Sequence, residues 1–402
     1  MKTILLIGHD ANRAGAQLVL LQLMRLLKQE GIQMHLLLGT GGPLLEEYQQ
    51  VASVTVWPAN SDQHVVNPLV DKVLGKIGLW DSMFRQQQQR QQAHLRQSLH
   101  LDKTDLILVN TVSSSRWFYA LGLGDVLPGR AKKIPVITFA HELAMSVSMY
   151  TKPGELTYLL DHTDHLLAVS KATASYYVDR LHVDPKRITL FTLIDTPSLQ
   201  QQVEQARHQP TPLPALGIPA DAIVVGGCGL AEWRKGNDLF VTLARLVSRR
   251  PVKRPVHFVW VGMKPGGYRD DLWLDVQKAG LTDIVHFVEP TPEVLRYMAG
   301  FHMLALTSRE DPYPLVVLEA GLSQVPVLCF EGAGGSPELV ERDGGVVVPY
   351  LDIEAMADSV AWLADDDKTR TEFGKQLRVK VLQRHPANQS VAVLLHLIGE
   401  LA

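Results

Sequence analysis

Two stretches in the second half of the chain place charged side chains at the ends of apolar runs. In the first, Arg234 and Lys235 lie between the apolar run Ile223–Gly227 and a helical pattern whose expected N-cap is Asn237. Free backbone N–H groups at a helix N-terminus favour anions, and two adjacent cations add fixed charge at the same place. We therefore expect Arg234 and Lys235 to bind a phosphate or diphosphate, with solvated surface as the alternative.

The second stretch contains one carboxylate, Glu319, inside the apolar run Leu315–Leu322. A carboxylate in such surroundings is costly unless it has partners, and two vicinal ribose hydroxyls would supply them. A salt bridge to a nearby arginine is the alternative. The glycine-rich segment Phe330–Glu338 forms a third loop that opens a helix.

Several other chemistries lack their motifs. The loop Gly8–Gly15 after the first apolar run has glycines seven apart and no G-x-G-x-x-G pattern, and there is no Walker A lysine. No group of His, Cys, Asp and Glu has convincing metal-ligand spacing. Nicotinamide-dependent hydride transfer, P-loop hydrolysis and a metal site are therefore not expected.

Composition restricts the class of protein further. The 402 residues are 46% hydrophobic and 20% charged, which is typical of globular domains. Lys+Arg 39 against Asp+Glu 42 gives a net charge of −3, so no nucleic-acid partner is expected. Cys228 and Cys329 lie in apolar runs and are expected to be buried free thiols. No apolar run reaches the ~18 residues of a membrane span, and Ile4–Ile7 is too short for a signal peptide, so we expect a cytoplasmic protein.

Two series of short apolar runs alternate with helical patterns. Apolar and polar residues do not alternate within these runs. The runs therefore predict parallel strands that are covered on both faces, and hence two doubly wound α/β domains. The runs of the first series are Thr3–Ile7, Met34–Leu38, Leu106–Val109, Val136–Phe139 and Leu166–Val169. Those of the second are Ile223–Gly227, Val256–Val261, Ile284–Val288, Met303–Leu306, Val325–Cys329 and Val346–Val348. The predicted helices include Ala16–Glu30 and Asp238–Ser248.

The domain bounds follow from this alternation and from proline content. We predict an N-terminal domain over residues 1–195, a linker over 196–220 that contains five prolines, and a C-terminal domain over 221–385. Residues 386–402 are expected to form a helix that crosses back to the first domain. The segment Leu69–Phe84 has apolar residues at helical spacing and lysines off that face. It predicts either a helix packed on its own domain or a helix that rests on the inner face of a membrane.

Three segments of the second half form an ordered pattern: Trp233–Gly236, Ser308–Ala320 and Gly334–Val340. This pattern resembles the donor-binding half of the retaining, nucleotide-sugar-dependent glycosyltransferases of family 4, the glycosyl transferases group 1. Gly15 and the tripeptide His141–Leu143 extend the likeness to the first half. The resemblance implies the GT-B fold, in which two Rossmann-like domains with parallel sheets face each other across a cleft.

The same resemblance implies roles for single residues. Arg234 and Lys235 would neutralise the diphosphate that leaves, Glu319 would hold the ribose, and Gly15 would contribute to donor binding. His141 matches a first-domain histidine that lies beside the reacting sugar. Arg234, Lys235 and His141 are thus the expected catalytic residues.

The loop before Glu319 departs from the pattern of the family. A Gly-Phe-Gly loop is replaced by Pro312-Tyr313-Pro314, which stiffens the loop. Tyr313, Pro314 and Leu315 are expected to bind the donor, with backbone N–H groups that Pro314 itself cannot supply. A spacing of eight from Glu319 falls on Asp311, so the first carboxylate of the motif is Asp311 or a shifted Glu310.

The activity implied by the resemblance is transfer of a sugar, with retention of configuration, from a UDP or GDP sugar to a glycan, a lipid-linked or another hydroxyl acceptor. Cell-surface polysaccharide or glycolipid biosynthesis is the expected setting. The nucleoside-diphosphate sugar is a co-substrate, and neither a cofactor nor a metal ion is expected. Two alternatives stay open: a nucleotide-sugar epimerase of the same fold, and a non-catalytic protein that binds sugar nucleotides.

Overall fold

The computed structural model describes residues 2–58 and 92–402, so the predicted helix Leu69–Phe84 lies outside the described residues. The chain forms two compact units. The first contains Met1–Ala168, His182–Thr189 and Val391–Ala402, and the second contains Val169–Leu181 and Leu190–Ser390. Within the described ranges, no helix is long and apolar enough to cross a membrane.

The first unit is built on a seven-stranded sheet with strand order β3-β2-β1-β4-β5-β6-β7. Its strands are β1 Thr3–Gly8, β2 Gln33–Leu38, β3 Ser53–Val56, β4 Leu106–Asn110, β5 Val136–Ala140, β6 His165–Ala168 and β7 Ile188–Leu190. The pairs from β3 to β6 are parallel, as predicted. The sequence prediction missed β3 and β7, which are short and only partly buried and therefore lack a continuous apolar run.

The second unit has a six-stranded sheet with order β10-β9-β8-β11-β12-β13. Its strands are β8 Ile223–Cys228, β9 Val256–Val261, β10 Val285–Val288, β11 Met303–Leu306, β12 Val327–Phe330 and β13 Gly345–Val348. All five neighbouring pairs are parallel, so the carboxyl ends of the strands meet at one edge of the sheet. Each strand coincides with a predicted apolar run to within two residues at either end.

Helices cover both sheets and close the cores. The longer helices of the first unit are Gly15–Gln29, Ser115–Ala120, Ala144–Tyr150 and Pro153–His162. In the second unit they are Lys171–Asp179, Thr196–Arg207, Asn237–Val247, Gly267–Lys278, Leu315–Leu322, Ile353–Asp365 and Asp367–Arg384, and the last helix of the chain is Ala387–Leu401. Shorter helices are Leu45–Gln49, Val294–Met298 and Ser336–Val340. Cys228 and Cys329 are free and buried, as expected.

The proline-rich stretch over residues 196–220 is largely structured. It holds the helix Thr196–Arg207 and a 3₁₀ turn over Leu213–Leu216, both within the second unit. Pro197 lies in the first turn of its helix, where a missing N–H costs no intrahelical hydrogen bond. Val203 and Leu213 are buried in the core of this unit.

Candidate functional site

Three loops meet at the carboxyl edge of the second sheet. They follow β8, β11 and β12, three strands that are neighbours in the sheet, and they cover residues 229–236, 307–314 and 331–335. The carboxyl edge of such a doubly wound sheet is where ligands usually bind. The three loops contain most of the residues that the sequence analysis assigned to donor binding.

Two glycines allow these loops to approach each other backbone to backbone. Gly236 has φ +70°, and a Cβ placed on it would lie 1.9 Å from the carbonyl oxygen of Thr307. Gly334 has φ +142°, and its Cβ would lie 1.8 Å from the carbonyl oxygen of Asp311. Any side chain at either position would push the loops apart, so the glycines fix the shape of the site.

The predicted cations Arg234 and Lys235 converge on Asp311. The Lys235 Nζ donates to Asp311 Oδ2 at 2.5 Å, and Arg234 Nη1 lies 3.9 Å from Asp311 Oδ1. Arg234 also donates to the carbonyl oxygen of Glu310 at 2.9 Å and to Glu232 Oε1 at 2.7 Å. The Asp311 side chain is only 8% exposed. The structure therefore brings both cations to Asp311, at the −8 position from Glu319.

Asn237 does not cap the following helix, so this expectation was wrong. The helix Asn237–Val247 begins at Asn237, and its N-cap is Gly236 in the left-handed conformation. The Asn237 Oδ1 instead accepts from the backbone N–H of Glu232 at 2.9 Å. This hydrogen bond closes the loop that carries Arg234 and Lys235.

Glu319 lies in the second turn of the helix Leu315–Leu322 and is partly buried. Within the described part of the chain, its carboxylate has no hydrogen-bond or ion-pair partner. Burial raises the pKa of Glu319 from 4.5 to about 7. A carboxylate that has lost water without gaining a protein partner is a ready acceptor for ligand hydroxyl groups. The predicted alternative, a salt bridge with an arginine, is not found among residues 2–58 and 92–402.

The loop before that helix contains Tyr313, Pro314 and Leu315. The first N–H groups of any helix have no intrahelical acceptor. Here the N-cap residue is Pro314, which forms no side-chain capping bond to them. The Tyr313 hydroxyl lies 2.8 Å from His385 Nε2, which anchors the loop through its side chain. Tyr313 and Pro314 thus present the backbone N–H groups of Leu315 and Val316.

The first unit holds His141 directly after β5. The His141 Nε2 lies 3.1 Å from Asn110 Oδ1, while Asn110 Nδ2 donates to the carbonyl oxygen of Ala16 at 3.2 Å. Asn110 therefore joins His141 to the start of the helix Gly15–Gln29. Within the part of the chain that the structure describes, a Cβ built on Gly15 meets no heavy atom within 4 Å beyond its own helix backbone and chain neighbours. Burial, together with neighbouring His9, lowers the pKa of His141 to about 3, so the ring is neutral.

Glu142 is a residue of this region that the sequence analysis did not assign. Its carboxylate accepts from the backbone N–H groups of His141 at 2.9 Å and Val112 at 3.3 Å, and from Ser113 Oγ at 3.1 Å. Glu142 is 6% exposed, and burial raises its pKa. It holds the loop after β4 against the loop after β5 and so fixes the position of His141.

Comparisons with known proteins identify the family and the fold of the chain. Residues 212–380 match the family model described as Glycosyl transferases group 1, and residues 13–192 match Glycosyltransferase Family 4. The chain is similar over its whole length to Anabaena Alr3699/HepE in complex with UDP, with a TM-score of 0.72, 19% identity and 100% of both chains covered. The structure of that protein in complex with UDP-glucose gives a TM-score of 0.70 at 19% identity, covering 98% of this chain and 100% of that one.

The fold is therefore GT-B, as predicted, and the chain belongs to the family 4 glycosyltransferases, the glycosyl transferases group 1. A curated relative is the D-inositol 3-phosphate glycosyltransferase of Corynebacterium efficiens, which is 24% identical over 262 residues. That match covers 60% of this chain and 60% of the relative, so the chain spans less than two thirds of the length of this relative.

Proposed function

We propose that this protein is a retaining, metal-independent glycosyltransferase that transfers a sugar from a nucleoside-diphosphate sugar to a glycan or lipid-linked hydroxyl acceptor. The proposal rests on two groups of side chains that lie at the carboxyl edge of the second sheet. These are the Arg234–Lys235 cation pair on Asp311 and the unpartnered carboxylate of Glu319.

The donor half of the reaction depends on charge. When the sugar leaves, negative charge develops on the departing diphosphate, and preorganised cations stabilise that charge best. Arg234 and Lys235 supply two positive charges, and the N–H groups of Leu315 and Val316 supply a helix N-terminus. These groups take the part that a divalent cation plays in other transferases, so no metal ion is proposed.

The nucleoside half depends on Glu319. Its carboxylate would accept hydrogen bonds from the two ribose hydroxyls and gain the partners that it lacks in the free protein. UDP is the first donor nucleotide to test, because the similar protein Alr3699/HepE is in complex with UDP and with UDP-glucose.

In the first unit, we assign to neutral His141 a hydrogen bond with the reacting sugar. Its orientation is held by Asn110 and its backbone by Glu142. In the neutral ring, Nε2 donates to Asn110 Oδ1, so Nδ1 is the acceptor that can take a hydrogen bond from a sugar hydroxyl group. We propose that the acceptor is bound by the first unit and that it belongs to a cell-surface polysaccharide or glycolipid.

The proposal is tested by incubating the protein with a panel of UDP and GDP sugars, followed by nucleotide and sugar analysis. Slow release of free UDP or GDP, accelerated by an added acceptor, is the expected result. Analysis of the product's anomeric configuration tests retention. Conversion of the donor sugar without release of nucleotide would instead indicate an epimerase, and binding with neither outcome would indicate a non-catalytic protein.

A further inference from the structure

Arg309 follows β11 in the loop that also carries Asp311, and the sequence analysis gave it no role. Its side chain is only 12% exposed. The guanidinium forms a two-pronged ion pair with Asp238, with Nη1 2.9 Å from Oδ1 and Nη2 2.6 Å from Oδ2. The same Nη1 donates to the carbonyl oxygen of Trp233 at 2.7 Å. Both terminal nitrogens of the Arg309 guanidinium thus donate to protein acceptors.

Two further contacts attach Arg309 to the loop that follows β8. Its guanidinium carbon lies 4.3 Å from the centre of the Trp233 ring, within the range of a cation–π interaction. Its backbone N–H donates to the carbonyl oxygen of Arg234 at 2.8 Å. Arg309 therefore contacts residues on both sides of Lys235: Trp233 and Arg234 before it, and Asp238 after it.

The charges distinguish this arginine from its neighbours. Lys235 pairs with Asp311, and Arg234 pairs with Glu232 at 2.7 Å and lies 3.9 Å from Asp311, whereas Arg309 pairs with Asp238 through both of its terminal nitrogens. Burial raises the pKa of Asp238, but the hydrogen bonds and charge of Arg309 outweigh that effect and lower it below its usual range. A bidentate arginine–carboxylate pair is strong and geometrically specific, which suits a structural clamp more than a mobile ligand group.

We propose that Arg309 is a positioning residue for the diphosphate site. It clamps the 232–236 loop to the loop that contains Asp311, so that Arg234 and Lys235 face the diphosphate without reorganisation. This inference rests on the proposed function. Because Arg309 acts through the two cations, its loss weakens the binding of phosphate groups and leaves the binding of the nucleoside unchanged.

The test compares UDP with uridine. In Arg309→Ala, we expect the Kd for UDP to rise at least about tenfold, because the displaced 232–236 loop loses one charge-assisted hydrogen bond from Arg234 or Lys235 to the diphosphate. The Kd for uridine, followed by NMR at millimolar concentration, is expected to change less than about twofold. Arg309→Lys keeps the charge but not the fork, so it is expected to resemble Arg309→Ala. Asp238→Asn, which removes the partner's charge, is expected to weaken UDP binding in the same direction.

Arg269→Ala is the matched control, because Arg269 pairs with Glu289 at 3.5 Å in the same unit and takes no part in the three loops. Its UDP affinity is expected to equal that of the wild type. A triple variant, Arg309→Ala with Arg234→Ala and Lys235→Ala, is expected to bind UDP no more weakly than the variant that lacks only Arg234 and Lys235, since Arg309 acts through those two cations.

Three results would overturn the inference: unchanged UDP affinity in Arg309→Ala, full rescue by Arg309→Lys, or equal losses for UDP and uridine, which indicate general damage to the fold. If the wild type binds GDP instead, GDP and guanosine replace the uridine pair. A wild type that binds neither nucleotide contradicts the proposed function itself and this inference with it. If instead the wild type and Arg309→Ala bind UDP with equal affinity, only the inference about Arg309 is contradicted.

Discussion

Replacing Glu319 by glutamine is expected to stabilise the protein at neutral and alkaline pH while it weakens donor binding. The Glu319 carboxylate is partly buried and has no partner in the described residues, so its ionised form is disfavoured in the folded state. Glutamine has nearly the same shape and carries no charge. The change removes the cost of keeping an ion at this position and also removes the proposed acceptor for ribose hydroxyls.

The size of the effect follows from the displaced pKa. A rise from 4.5 to about 7 corresponds to roughly 3 kcal/mol of unfolding free energy at 1.36 kcal/mol per unit. Because the side chain retains some contact with solvent, about 2 kcal/mol is a more realistic value. The folded state holds the proton more tightly than the unfolded state. The contribution of Glu319 to stability is therefore fully present below about pH 4.5 and is lost as the pH rises through about 7.

Urea unfolding of the wild type and Glu319→Gln at pH 5 and pH 8 measures this directly. The variant is expected to gain about 2 kcal/mol over the wild type between pH 5 and pH 8. Glu331→Gln changes an exposed carboxylate of the same unit and is the control, with no such gain expected. A Glu319→Gln variant that is equally or less stable than the wild type at pH 8 would refute the reasoning, since it would show that the carboxylate is well stabilised in the fold.

Three further predictions concern the loops of the site. Gly236→Ala and Gly280→Ala each introduce a side chain at a φ of +70°, but of these two glycines only Gly236 has a described neighbour within 4 Å. Thermal unfolding is therefore expected to show a clearly larger loss of stability for Gly236→Ala than for Gly280→Ala. Equal losses would contradict the close packing of the loops. Tyr313→Phe removes the hydrogen bond to His385 and is expected to cost about 1 kcal/mol in urea unfolding; an unchanged midpoint would show that the bond does not anchor the loop. Lys235→Ala is expected to raise the Kd for UDP at least about tenfold by calorimetry with the fold retained, and wild-type affinity would remove Lys235 from the site.

The strands could be located from their continuous apolar runs, and the candidate site could be located from the three sequence segments around it. Strands β8 and β11 are buried on both faces, so their sequences are apolar throughout and easy to locate. Strand β7 has three residues, and none of them is fully buried, so no pattern distinguishes it from a loop. The start of the following helix was also mispredicted, because Asn237 was taken as its N-cap. The N-cap is Gly236 in the left-handed conformation, and the type of side chain does not reveal this.

Side-chain partners that are distant in the sequence were beyond prediction. The pairing of Arg309 with Asp238 spans 71 residues and depends on β8 and β11 being neighbours. An arginine in a polar loop usually lies at the surface, so the sequence analysis gave Arg309 no role. Glu142 was hidden in the same way, because its backbone partner Val112 lies 30 residues earlier.

A crystal structure of the full chain with UDP tests directly whether the donor binds at the carboxyl edge of the second sheet. We expect the diphosphate to contact Lys235 and the N–H groups at the start of the helix Leu315–Leu322, and both ribose hydroxyls to donate to the Glu319 carboxylate. A nucleotide bound elsewhere, or one that leaves Glu319 without a partner, would contradict the assignment of this edge of the second sheet as the donor site.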